Sequence, residues 1–322
     1  MSIDAQIAAE LADLRRMPGI IRVPVHVWFP DDEAVAYARL GRLVRLIAGT
    51  RTRGLHAGLA PSRFRGFVSQ GSQGRRHQVA RWAQDLPHVT PNEVFRTLYD
   101  GLDGAPLAVR FEFKGDDRFD LVFAIGTPGT ADFLALVERR FSLASSTVEH
   151  YWMRVDASSQ QRGMAARVIG ALLPLYELMG VYTVRITAGL SAGGAVWGKF
   201  GFVPDVGEWN RMGPLIRVNI REVMLQGTIE PALREACEAA DWLAGNPEPK
   251  NLWLINDLAA DWRVGNERLG SVLLRGIRWK GSLSFADSEA VNRLRDRLSV
   301  SGVSSSALDS LAAAALRHHR GE

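Results

Sequence analysis

Residues 20–29, Ile-Ile-Arg-Val-Pro-Val-His-Val-Trp-Phe, form a run rich in β-branched and aromatic side chains that predicts a strand. Asp31, Asp32 and Glu33 come next, acids suited to the positive end of a helix, and residues 34–48 are predicted as that helix. Residues 54–76 are rich in glycine and serine and read as a long loop. Further helices are predicted over 78–86 and 92–102, the second with Thr90 as N-cap and Pro91 in its first turn.

From Pro106 the period changes to two. Leu107 to Lys114 alternates, Gly115 to Arg118 makes a turn, and Asp120 to Gly126 runs back, which predicts a β-hairpin. A short helix is predicted over 131–141. The following strand, 148–155, would set Val148, His150, Trp152 and Arg154 on one side and Glu149, Tyr151, Met153 and Val155 on the other. A tight polar segment then leads into a helix over 164–179, bent at Pro174 and closed by Gly180. Residues 181–188 form a strand parallel to 148–155 if both lie in one sheet, joined by a right-handed crossover. Beyond Arg221 the pattern is mostly helical, at 231–243, 252–262, 269–279, 288–298 and 304–319.

These periods predict an α/β fold in three regions: a strand-helix region with an arginine-rich loop (1–104), a central region (105–225) and a mostly helical region (226–322). A chain of 322 residues with 47% hydrophobic and 23% charged residues buries a real core, which excludes disordered and fibrous classes. No run reaches the length of a membrane-spanning helix. The start, Met1-Ser2-Ile3-Asp4-Ala5, carries an acid where a signal peptide needs lysine or arginine, so a cytoplasmic site of action and no membrane partner are expected. Nothing in the pattern sets an oligomeric state.

The net charge of +4 hides an asymmetry. Residues 34–84 hold ten arginines and no aspartate or glutamate. Such a segment can clamp a nucleic-acid backbone or a phosphorylated ligand, or can be a solvated face paired with acids elsewhere; no nucleic-acid motif accompanies it. The single cysteine, Cys237, lies in a helical pattern and reads as a helix filler. The seven histidines show no metal-ligand spacing, and no metal site is expected. Gly189-Leu-Ser-Ala-Gly193 matches a nucleophile elbow after a strand, but the only later histidines are His318 and His319 in a terminal helix, so Ser191 reads as a loop or cap residue.

The segment richest in chemistry is Val155-Asp-Ala-Ser-Ser-Gln160-Gln161-Arg162-Gly163-Met164-Ala165-Ala166, which joins a strand to a helix. The first amides of a helix lack intrahelical partners and lie at the positive end of its dipole, which makes an anion site. Gly163 permits close backbone approach there, and Ala165 and Ala166 keep bulk away. The structural alternative is an ordinary glycine at a strand-to-helix turn.

Gln160-x-x-Gly163-x-Ala165 resembles the Gln/Arg-x-x-Gly-x-Gly/Ala signature of the GNAT superfamily of N-acetyltransferases. Val155 five residues earlier, the following helix and strand, and Gly201-Phe202 also resemble that pattern, over about residues 148–204. The resemblance implies a GNAT-like mixed twisted sheet flanked by helices, with added N-terminal and helical C-terminal regions. It implies acetyl-CoA as co-substrate and direct acyl transfer to an amine. It further implies that the backbone of Met153 and Val155 meets the pantetheine amides, that Gln160 and the amides from Gln161 to Ala166 hold the diphosphate, and that residues 188–202 form the far wall. Many members place a tyrosine four residues before the glycine of the Gly-Phe pair to protonate the departing thiolate; this chain has Trp197, whose indole N–H is no competent acid at neutral pH. The proton of the amine needs a base, and Glu149 or His150 can serve, though adjacent strand residues point to opposite sides and only one faces a cleft. Their structural readings are a solvated carboxylate and a hydrogen-bonded packing histidine. The competing expectations are an inactive GNAT-like binding or scaffold module and a polynucleotide-binding protein.

Overall fold

In the computed structural model of the chain, the described residues are 54–57, 67–69, 89, 94, 97–98, 100–102, 106–114, 118–126, 133–155, 163–225, 230–258, 262–265 and 267–321. The strand predicted at 20–29 and the helices predicted at 34–48 and 78–86 lie outside them. The protein is of α/β type and divides into two compact units, residues 1–181 with 303–307, and residues 182–302 with 308–322.

The first unit holds β1 (Gly54–Ala57), β2 (Phe67–Ser69), β3 (Pro106–Lys114), β4 (Arg118–Gly126), β5 (Phe133–Ser142) and β6 (Thr147–Val155). They run in the order β2-β1-β3-β4-β5-β6, each neighbouring pair antiparallel. The β3–β4 hairpin and β6 match the sequence reading. β1 and β2 correct the loop expected over 54–76, and β5 corrects the helix expected over 131–141. In β5 the inward positions are Ala135, Val137, Arg139 and Phe141, all buried. A charged residue in the inward series masks the period of two, which is why the segment read as helical.

The core of this unit stacks Phe119, Leu121, Phe123 and Ile125 of β4 on Val137 and Phe141 of β5 and Val148 of β6. Each phenylalanine ring removed from water contributes roughly 2–3 kcal/mol. The helix α1 (Met164–Leu178) covers it with Val168, Leu172, Leu175 and Tyr176, and the Tyr176 ring meets Phe141 edge-on at 6.1 Å. α1 runs through the exposed Pro174 and ends where Val181 N–H donates to the Tyr176 carbonyl at 2.9 Å, across Gly180.

The second unit begins with β7 (Thr183–Ala188), α2 (Leu190–Lys199), β8 (Val203–Pro204), α3 (Val206–Met224), α4 (Pro231–Gly245) and α5 (Asn251–Leu258). After the small β9 (Arg263–Val264) and β10 (Glu267–Arg268) ladder come α6 (Leu269–Leu273), β11 (Trp279–Ser284), α7 (Ser288–Val300) and α8 (Ala307–Arg320). β11 lies between β7 and β8, antiparallel to both. The sequence reading extends a helix to 279, but only 269–273 is α6, and β11 buries Trp279, Gly281 and Leu283 in strict alternation. Gly281 is required there, because a Cβ would strike the Val203 carbonyl oxygen of β8. α3, with Trp209, Met212, Ile216, Ile220 and Val223 buried, was hidden by the internal Pro214, which usually breaks a helical pattern.

Three buried indoles hold this unit through their N–H groups: Trp253 donates to the Phe202 carbonyl at 2.9 Å, Trp209 to Asn246 at 2.7 Å and Trp279 to Gly194 at 3.3 Å. Asp287 caps α7 by accepting from the amides of Glu289 (3.0 Å) and Ala290 (3.2 Å), and pairs with Lys250 at 2.9 Å. Partial burial pushes the Asp287 carboxyl up, but the Lys250 and amide hydrogen bonds outweigh it and hold the group below its ordinary range. Asp287→Ala is expected to cost about 1–2 kcal/mol in urea unfolding. The difference should be full at neutral pH and shrink as pH falls through the depressed folded-state pKa, where the cap is protonated in both states. Among the described residues no helix is long and apolar enough to cross a membrane.

Candidate functional site

The pairing of β5 with β6 changes register in mid-strand. Arg140 faces Glu149 and Glu138 faces Trp152, so the single residue Arg139 stands opposite the pair His150 and Tyr151. That is a β-bulge in β6, which adds one residue to this strand and re-aims the side chains on its far side. Beyond it Met153 comes opposite Val137 and Val155 opposite Ala135, the inward positions of β5. The unbroken alternation expected for 148–155 is therefore corrected: Val148, Met153 and Val155 share a face. Met153 and Val155 are half-buried.

β6 ends at Val155, and the next described residue is Gly163. Gln160, Gln161 and Arg162 lie outside the described residues. Gly163 is the N-cap of α1 and adopts φ 75°, ψ 7°, the left-handed region, where most N-caps are extended. Only glycine takes that conformation without steric cost. A left-handed residue followed by the right-handed Met164 turns successive amides to one side, a concave nest suited to an anion. The first intrahelical bond runs from Arg167 N–H to the Gly163 carbonyl at 3.0 Å, so the amides of Met164, Ala165 and Ala166 precede the ladder. Among the described residues no side chain caps this end, and its first turn carries no acid. Met164 and Ala166 are buried and Ala165 half-buried, so the side chains leave the turn to the backbone.

The two candidate bases separate. His150 is buried, and its Nε2 lies 2.6 Å from the Tyr176 hydroxyl. Burial, and then the Arg139 guanidinium, hold its pKa well below the ordinary histidine value, so it is a neutral interior group. Tyr176 is pushed up to about 12 by burial, with Arg139 opposing. Arg139 itself is fully buried and donates from Nη1 to the Glu138 carbonyl at 2.9 Å; its own burial lowers its pKa. This geometry is that of the packing histidine. Glu149 is half-buried beside Arg140, whose guanidinium pairs with Glu138 at 3.2 Å and lies over the exposed Tyr151 ring at 2.9 Å from its centroid. Neither Arg139 nor Tyr176 stands out in the sequence as a site residue. The available signal was the Arg139-Arg140 pair within a strand, one member of which must point inward.

Trp197 belongs to the second unit. It is half-buried on α2, edge-on to Phe202 at 5.2 Å and tilted against Phe200 at 6.2 Å. Ser191 lies in the first turn of α2 with no strained backbone, which suits a helix-start residue and not a nucleophile elbow. Cys237 is buried within α4. No group of acids, histidines and cysteine among the described residues could hold a metal ion. No family model, curated protein or solved structure matches the chain.

The first unit thus holds three features along the chain: β6 with its bulge at His150 and Tyr151 and its regular end at Met153 to Val155, an amide nest at Gly163 to Ala166, and the carboxylate Glu149, which stands opposite Arg140 just before the bulge. Amide nests bind oxyanions, a bulge turns main-chain groups out of the regular ladder, and a half-exposed carboxylate can take up a proton.

Proposed function

We propose that this protein is an acyl-CoA-dependent N-acyltransferase of the GNAT type, which takes acetyl-CoA and passes its acyl group directly to an amine. The observation that carries this reading is the left-handed Gly163 at the start of α1, which gathers backbone amides into an anion site at the point where the signature residues stand. In this reading Gln160, Gln161, Arg162, Gly163, Met164, Ala165 and Ala166 hold the diphosphate, and the main chain of Met153 and Val155 meets the pantetheine arm. The amine nitrogen attacks the thioester carbonyl carbon and the C–S bond breaks. The amine proton passes to Glu149, and the departing thiolate takes one from water or another side chain, because Trp197 cannot supply it. The residues fit such a co-substrate chemically: the nest is free of acidic side chains in its first turn.

A second reading, a GNAT-like binding or scaffold module without transfer chemistry, is favoured by Trp197, which is engaged with Phe200 and Phe202 where an acid is wanted. Isothermal titration of acetyl-CoA, together with thiol release measured over a panel of small amines and proteins, tests both. Saturable binding with thiol release that slows in Glu149→Gln, at unchanged acetyl-CoA affinity, supports the transferase. Binding without release on any acceptor selects the module, and absence of binding removes both.

A further inference from the structure

In the second unit Lys199, Arg268 and Arg297 make no ion pair with a described carboxylate. α2 ends on Lys199, and the ring of the next residue, Phe200, lies beneath the Arg297 guanidinium at 5.6 Å. One residue before, a Cβ at Gly198 would strike the Asn256 amide and crowd Leu252, so α5 lies close against this end of α2. The next residue of α5, Asp257, is held by Arg293 through two hydrogen bonds of 2.6 and 3.3 Å. Arg268 precedes α6, which packs on α2, and the chain leaving α6 comes so close that a Cβ at Gly194 would sit 3.0 Å from the carbonyl oxygens of Leu274 and Ile277.

Lys199, Arg268 and Arg297 make no ion pair with any other described residue, and the buried Nε of Arg297 has no hydrogen-bond partner among them. The amide of Asn256, only 4% exposed, is likewise without a partner. The Lys199 ammonium registers the crowding: burial lowers its pKa first, Arg268 and Arg297 lower it further, and Asp257 opposes them. Several other cations of this unit do have carboxylate partners. Lys250 meets Asp287 and Glu289, Arg275 meets Glu267, and Arg295 meets Asp309. At the end of α2 the described residues supply none to Lys199, Arg268 or Arg297.

We propose that Lys199, Arg268 and Arg297 form a binding site for a phosphate-bearing small molecule, whose dianion supplies the negative charge that the surrounding helices withhold. Guanidinium forks match phosphate oxygens two at a time, and a lysine adds a compact point charge. A dianion offsets this much positive charge better than a single carboxylate. The site is separate from the Gly163 nest and does not depend on acyl transfer.

The test uses the full chain and pyrophosphate at constant ionic strength. With only four lysines in the sequence, limited modification by acetic anhydride and peptide mapping reads Lys199 against the exposed Lys280. Pyrophosphate should slow modification of Lys199 about fivefold or more relative to Lys280, and equivalent sodium chloride should not. By titration calorimetry, Arg268→Gln and Arg297→Gln should each weaken this site about tenfold, the size of one lost charge-assisted contact, whereas Lys280→Gln should not. Gly163→Val should leave the protection of Lys199 intact, so failure of this site and failure of the acyl-CoA reading are distinguishable. Unaltered Lys199 modification in saturating pyrophosphate, or protection that persists in Arg268→Gln and Arg297→Gln, would overturn the proposal.

Discussion

Gly163→Val is expected to reduce acetyl-CoA affinity by a factor of about a thousand or more, on the premise that two or more charge-assisted amide contacts to the diphosphate are lost together. At φ 75° a β-branched side chain is strained. The backbone relieves that strain by rotating toward the extended conformation of an ordinary N-cap, and the rotation disperses the amides of Met164 to Ala166 that the left-handed turn had aimed together. The same strain should lower stability by roughly 1–3 kcal/mol, which urea unfolding measures separately. Gly163→Ala should fall between, since alanine carries the conformational penalty without the branch. Calorimetry on the folded variants decides the matter: an affinity for acetyl-CoA within a few fold of the parent chain would mean that the diphosphate is not held at this turn.

The parts of this architecture that could be read from the chain are those where one local rule acts alone. The β3–β4 hairpin alternates cleanly around a polar turn, and α1 carries an apolar stripe closed by Gly180. The parts that could not be read are those where a long-range contact overrides the local signal. Arg139 occupies an inward position of β5 because the interior provides Tyr176 and the Glu138 carbonyl, and no local pattern announces such partners. β11 contains Lys280, Gly281 and Ser282, poor strand formers, and is a strand because β7 and β8 flank it. The candidate site divides the same way. Gly163 is legible as a turn glycine before a helix, whereas the bulge at His150 and Tyr151 is a property of pairing with β5. That bulge decides which side of the sheet Met153 faces, opposite to the side that alternation alone predicts.

The buried histidine gives the second large effect, one of stability against pH. In the unfolded chain His150 takes up a proton near pH 6.5, whereas in the folded protein burial and the neighbouring Arg139 hold its pKa well below that value. The unfolded state therefore binds more protons as the medium becomes acidic. The contribution to stability is thus fully present above the unfolded pKa and is lost as pH falls from there toward the depressed folded-state value, at about 1.4 kcal/mol for each pH unit. Below pH 6.5 the parent chain should therefore lose stability from this group with each further step toward acid, until the depressed folded-state pKa is reached. His150→Gln keeps a hydrogen-bonding partner for the Tyr176 hydroxyl but does not titrate, so its unfolding free energy should fall less steeply over the same interval. Urea unfolding curves at half-unit pH steps, monitored by tryptophan fluorescence, give the two slopes. Parallel slopes would mean that His150 gains its proton as readily in the folded protein as outside it, and the buried pairing with Tyr176 beneath the Arg139 guanidinium would have to be abandoned.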